Sequence, residues 1–236
     1  MSTSGVTTFQ MTATGIINSA LRKLGVLSEG NAATAVELLS GMEALNSLIK
    51  LLMVKGMPIW AIKEYSFTTV ANLNTYTIGN GAMFNTPMPL KVVQAYRTQS
   101  NGGVNIPMNI YTHNDYNQLP FNATSSTPID LFYQPFVATG TIKLWPSPSD
   151  SSTTVTIIYQ RPFEDVVSGS DTLDFPPYWS DSLIYNLSWR LCPEYGTPLQ
   201  ERQTLAKEAD LFTTEALSFG TEEGSIYMSP STYYRR

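Results

Sequence analysis

Hydrophobic residues recur at helical spacing near both ends of the chain and at strand spacing in between. Ile16, Ile17, Ala20, Leu21 and Leu24 mark one face of a first helix that Thr12 or Thr14 can cap and Gly25 can stop. Arg22 and Lys23 fall in its last turn, where cations suit the helix dipole. From about Asn31 to Lys55, the positions Leu38, Met42, Leu45, Ile49 and Leu52 alternate steps of four and three, the seam of a helix pair. Thr34-Ala-Val-Glu37 offers a capping box within that span, and Gly56 and Pro58 end it.

A third helix is expected from Asp174 to Gly196, opened by Pro176-Pro177, with Leu183, Leu187 and Leu191 on one stripe. Ile184, Tyr185 and Trp189 spread apolar surface beyond that stripe. A helix apolar over most of its circumference needs cover on more than one side. A neighbouring subunit or the helix's own domain can supply it, and periodicity does not separate the two. Thr197-Pro-Leu-Gln200 is a capping box for a fourth helix, with Leu205, Ala209, Phe212, Ala216 and Phe219 in the same rhythm and Gly220 at its end.

Between these helix pairs the period changes to two. Tyr65-Ser-Phe67, Tyr76-Thr-Ile78, Val92 to Thr98, Ile129 to Phe136, Thr141 to Trp145 and Val155 to Tyr159 predict strands. Asn80-Gly81 and Asn101-Gly102-Gly103 predict turns, with a return strand from Val104. Long loops at Asn80–Pro89 and Thr112–Thr127 are expected to be functional or mobile. The resulting fold class is α+β: a four-helix bundle made by the N- and C-terminal helix pairs (1–57 and 172–219), an inserted, mainly antiparallel β domain (58–171) and an extended C-terminal tail (220–236).

The tail has no periodicity. Ile226, Tyr227, Met228, Tyr233, Tyr234, Arg235 and Arg236 are residue types that anchor interfaces, so the segment reads either as a docking tail or as a frayed terminus.

Composition adjusts this picture. The chain has 236 residues, 42% of them hydrophobic, so it can form a sizeable core. Only 14% are charged, against about a quarter in ordinary domains, a mild surface that suits packing against other subunits or an ordinary secreted β protein. The net charge is −5 and no run of cations exceeds Arg22-Lys23 or Arg235-Arg236, so tight phosphate binding is not expected. An acidic surface would let DNA pass without holding it. Met1–Gln10 does not read as a signal peptide, and no apolar run approaches the ~20 residues of a membrane span. Synthesis in the cytoplasm is therefore expected.

Candidate chemistry is thin. His113 is the one histidine and Cys192 the one cysteine, so neither a nucleophile–histidine pair nor a metal cluster suggests itself. No catalytic residue, metal ligand or cofactor is assigned. Asp171 with Asp174, and Glu222 with Glu223, are the nearest approach to the paired carboxylates of a glycosidase. Trp60 and Trp145 could stack on sugars, but their strand-like context favours core packing. A carbohydrate-binding or peptidoglycan-cleaving virion protein is the second function class, and a monomer of unrelated role the third.

Three blocks, taken in order, carry a resemblance. They are Ile16-Ile-Asn-Ser-Ala-Leu-Arg-Lys-Leu-Gly-Val-Leu27 with the helix through Leu45-Asn-Ser-Leu-Ile49; Ile142-Lys-Leu-Trp-Pro-Ser-Pro148 with Ile157-Ile-Tyr-Gln-Arg-Pro162; and Phe175-Pro-Pro-Tyr-Trp179 through Leu187-Ser-Trp-Arg-Leu191 to Glu194-Tyr-Gly196. Together they resemble the head-to-tail adaptor, or tail accessory, proteins of short-tailed bacteriophages, the group of tail tubular protein A. The resemblance implies a ring, of twelve copies, between the portal protein and the tail nozzle at the head–tail junction of the virion. Genomic DNA would pass through its channel without tight binding, and no membrane is involved. It further implies that the tail from Ile226 to Arg236 meets the portal. Ile184, Tyr185 and Trp189 would meet the next subunit. Asn80, Phe84, Asn101, His113 and Tyr116 would lie on loops facing the nozzle and fibre proteins.

Overall fold

The computed structural model describes residues 4–5, 9–55, 59–99, 103–120 and 125–219. Helix α1 (Ala13–Lys23) starts where Thr12, in extended conformation, accepts a hydrogen bond from the Gly15 amide. It stops where Gly25 takes φ 70° and the Val26 amide donates to the Leu21 carbonyl. Of the two starts open to the next helix, the capping box prevails and α2 runs Ala35–Lys55. The Thr34 amide donates to the Glu37 carboxylate at 2.7 Å, and the Glu37 amide donates to Thr34 Oγ1 at 3.4 Å.

The chain then enters the sheets by a single 3-10 turn at Ile59–Ala61. One sheet has the order β1 (Ile62–Thr68), β8 (Thr153–Gln160), β3 (Lys91–Gln99), β4 (Ile106–Pro107). The other has the order β2 (Thr75–Gly79), β7 (Thr139–Trp145), β6 (Asp130–Pro135), β5 (Asn109–Tyr111). All pairings are antiparallel except β5 with β6, which is parallel. Phe67, Ala95, Val155, Ile157 and Tyr159 from the first sheet meet Tyr76, Ile78, Leu131, Ile142 and Leu144 from the second in one core, the arrangement of a β-sandwich. The return strand expected from Val104 shrinks to β4, because Pro107 has no N–H to offer a ladder. The first half of the loop expected at Thr112–Thr127 folds instead as α3 (His113–Asn117). Its cap is Thr112, whose Oγ1 donates to the Asp115 carboxylate at 2.7 Å.

Helices α1 and α2 meet the third helix of the sequence pattern in a second core, to which the fourth adds Ala216. The third helix starts later than its prolines suggest: Pro177–Trp179 forms a 3-10 turn and α4 covers Ser180–Leu191. Leu183, Ile184, Leu187 and Leu191 of α4 pack against Ile16, Ile17, Ala20 and Leu21 of α1 and Leu45, Leu48, Ile49 and Leu52 of α2. Ala61, Phe163, Val166, Leu173 and Phe175, from the segments entering and leaving the sheets, belong to this core as well.

Helix α5 (Leu199–Phe219) does not complete a closed four-helix bundle. It lies against α4 and the turn before it, with marginal contact to α1 and α2 at most. Its buried positions are Leu205, Ala209, Thr213 and Ala216, a stripe wide enough to cover one neighbour. Phe219, which continues the rhythm in sequence, is 75% exposed.

Candidate functional site

Of the carboxylates that suggested chemistry, Asp171 and Asp174 are occupied structurally, and Glu222 and Glu223 lie outside the described residues. Asp171 accepts the Val167 and Ser168 amides at 3.0 and 2.7 Å, and Asp174 holds Arg161 in a two-pronged ion pair. His113 is exposed, shares a 2.9 Å hydrogen bond with the Asn117 side chain and lies edge-on to Phe132. Cys192 is fully buried. Trp60 stacks on Phe163 and tilts against Phe175, and Trp145 is half-buried with its indole N–H donating to the Pro120 carbonyl, so neither presents an open platform to a sugar. Among the described residues no group of three or more His, Cys, Asp or Glu could hold a metal, and no helix is long and apolar enough to cross a membrane.

The contact residues expected from sequence separate into three sets. Ile184 lies inside its own subunit at 7% exposure, in the core shared with α1 and α2. Tyr185 is half-buried, its ring 4.9 Å from that of Phe212, and Lys23 sits over its face. The contact with Tyr185 stabilises the charged form of Lys23 and raises its pKa. Trp189 alone of the three is open, at 38%.

Phe84 and Tyr116 also turn inward. The chain doubles back after Gly81, the Phe84 amide donating to the Thr77 carbonyl, and the ring packs on Phe67, Tyr65 and Tyr76. Tyr116 stacks on Phe132, and burial pushes its phenol pKa up. These two aromatics fill the subunit's core, whereas Asn80 and His113 are exposed. Asn101 and the tail residues Ile226, Tyr227, Met228, Tyr233, Tyr234, Arg235 and Arg236 lie outside the described residues.

The structure exposes apolar residues that periodicity did not single out, and with them Phe219, which periodicity placed on the α5 stripe. On α2 they are Val36, Leu39, Leu51 and Val54; on α5, Leu199, Leu211 and Phe219. The signal was available for α2: in each of the doublets Leu38-Leu39 and Leu51-Leu52 one member, Leu39 and Leu51, falls off the buried stripe. Met83, Phe136 and Val137 expose a further apolar set at the loop after β2 and the β6–β7 hairpin. These stand beside each other because Gly79 of β2 pairs with Thr139 of β7. No charged side chain occurs from Gly79 to Leu90 or from Gln134 to Gly140.

Among the described residues, then, exposed apolar side chains lie on α2, α4 and α5 and at the β-hairpins, and no group of three or more His, Cys, Asp or Glu could hold a metal. The chain belongs to the SU10 adaptor protein family, whose model matches residues 11–231. That span takes in both helix pairs and both sheets, and it is the adaptor class that the three sequence blocks resemble. No curated protein matches the chain. Membership makes the protein a phage structural adaptor and virion component, and implies association with portal and tail components.

Proposed function

We propose that the protein is a head-to-tail adaptor that closes into a ring between portal and tail nozzle, seals the channel of the packaged genome and gives the tail its platform. The observation that carries this reading is the family match over nearly the whole chain. Uncovered apolar side chains on two different helices support the ring. Val36, Leu39, Leu51 and Val54 of α2 form one face, and Leu199 and Leu211 of α5 another. A ring needs two unlike faces that meet head to tail, and twelve copies would match a portal of the same symmetry. Trp189 sits on the exposed side of α4 and joins this contact, whereas Ile184 supports it from inside.

The C-terminal segment, with Ile226, Tyr227, Met228, Tyr233, Tyr234, Arg235 and Arg236, docks on the portal. The exposed positions Asn80 and His113, together with Asn101, face nozzle and fibre proteins. With a net charge of −5, the assembled ring lets DNA pass without the phosphate neutralisation that would retain it.

Removing residues 220–236 tests the docking step. The described α5 ends at Phe219, so the shortened chain should keep its far-ultraviolet circular dichroism and its thermal midpoint. It should fail to co-sediment with portal assemblies that capture the full chain. Equal capture of both chains would refute portal docking through this segment.

A further inference from the structure

A groove of about 380 Å³ opens between the start of α4 and the end of α5, lined by Tyr178, Asp181, Phe212, Glu215, Ala216 and Phe219. Its walls are aromatic: Tyr178 and Phe219 meet edge to face at 4.9 Å. Its rim is acidic, and an unbalanced helix end adds to that. Helices α1, α2 and α4 each carry a cation in the last turn, where the dipole leaves partial negative charge. Helix α5 carries none there and has Glu215 in its place. An apolar slot beside two carboxylates and a helix C-terminus with no cation in its last turn among the described residues calls for a ligand with aromatic or aliphatic side chains and adjacent cations.

The chain holds such a ligand next to the slot. Residues 220–236 follow Phe219 directly and carry Ile226, Tyr227, Met228, Tyr233, Tyr234 and the pair Arg235-Arg236. Reach is sufficient: the stretch from Phe219 to Ile226 spans up to about 23 Å when extended. The groove from Phe212 to Phe219 covers roughly 10 Å of helix. Gly220 and Gly224 make a reversal sterically cheap. Tethering at this distance sets an effective concentration of the order of millimolar, which a partner in solution must exceed.

We infer that in the free subunit the C-terminal segment folds back into the groove between α4 and α5 of its own chain, its arginines against Asp181 and Glu215. The same anchors are thereby withheld from the portal until the portal competes them out. This rests on the portal-docking reading for its consequence, not for the groove contact itself.

Chymotrypsin, which cuts after Tyr227, Tyr233 and Tyr234, reads the contact in the full-length chain. Glu215→Lys should raise the initial cleavage rate within 220–236 about fivefold, the scale of one or two exposed ion pairs. The helix should remain intact, since a lysine suits its C-terminus. Arg235→Glu with Arg236→Glu should raise the rate similarly, and combining all three substitutions should bring it back toward that of the unaltered chain. Equal rates in all four proteins would overturn the inference. So would an unaltered-chain rate that falls as protein concentration rises, because the segment would then sit on a second copy. Glu215→Lys leaves the segment's own sequence intact, so its capture by portal assemblies should be as strong or stronger. Failure of every full-length chain to bind portal would refute portal docking and leave the protease result to decide the groove.

Discussion

Arg161 and Asp174 fasten the sheet unit to the helices at the level of single residues. Arg161 follows β8, its amide donates to the Ala61 carbonyl at 2.9 Å, and its guanidinium reaches both Asp174 oxygens just ahead of α4. The side chains are 12% and 21% exposed, so water does little of the work that Asp174 does. The hydrogen bond to Asp174 is also the main reason the Arg161 pKa is raised. Asp174→Asn leaves a mostly buried guanidinium short of its counter-charge and should lower stability by about 3 kcal/mol, read from the denaturant midpoint. Exchanging both residues together for Met and Leu should cost far less, because the desolvation penalty goes with the charges. A full-sized loss in the double variant would mean that packing, not charge, sets the cost.

Elements show how far pattern alone reaches. Helices α1 and α2, whose ends carry caps, and strands β1, β2, β3, β6, β7 and β8 were legible because one period held throughout each, whereas the three-residue β5 was not. Glu37 makes this testable. The Thr34 backbone N–H, then the Thr34 hydroxyl, hold its carboxyl below the usual carboxylate range. A folded-state pKa below the unfolded value stabilises the helix start above the ordinary carboxylate range, and that contribution is lost as pH falls through the lowered value. Amide protection in the first turn of α2, with the rate taken relative to the intrinsic rate at each pH, should therefore fall on acidification. Glu37→Ala should show the lower protection already at neutral pH and little acid dependence from this source; unchanged protection at neutral pH would discount the box.

What pattern missed was set by distant chain. Ile184 looked uncovered because the core it joins is built from distant chain, α1, α2 and residues of 161–175, and Phe84 and Tyr116 looked like loop aromatics because their loops fold back. Helix α3 escaped notice although Thr112 and Asp115 have capping spacing. For α5, rhythm identified the stripe but not its width. Its centre is polar: Asn186 Nδ2 donates to Thr213 Oγ1 at 2.7 Å, and Ser182 and Thr213 hydroxyls lie 2.9 Å apart. Thr213→Val removes that oxygen from a buried network and should cost about 2 kcal/mol by chemical denaturation. A change of a few tenths would show that α5 depends on its apolar positions alone.

At the scale of the whole molecule, two cores joined by a short connection leave apolar side chains uncovered on α2, α4 and α5 and on the hairpins near Met83 and Val137. An adaptor that covers these faces with copies of itself and with its neighbours explains both the low charge content and the surplus of exposed apolar residues. Imaging the virion vertex by electron cryomicroscopy, with density fine enough to trace side chains, tests that account most directly. The account predicts this chain as a closed ring between portal and nozzle, Trp189 and the outer faces of α2 and α5 at its subunit boundaries. A vertex whose portal and nozzle layers are joined by a different chain, with this one absent from the junction, would contradict it.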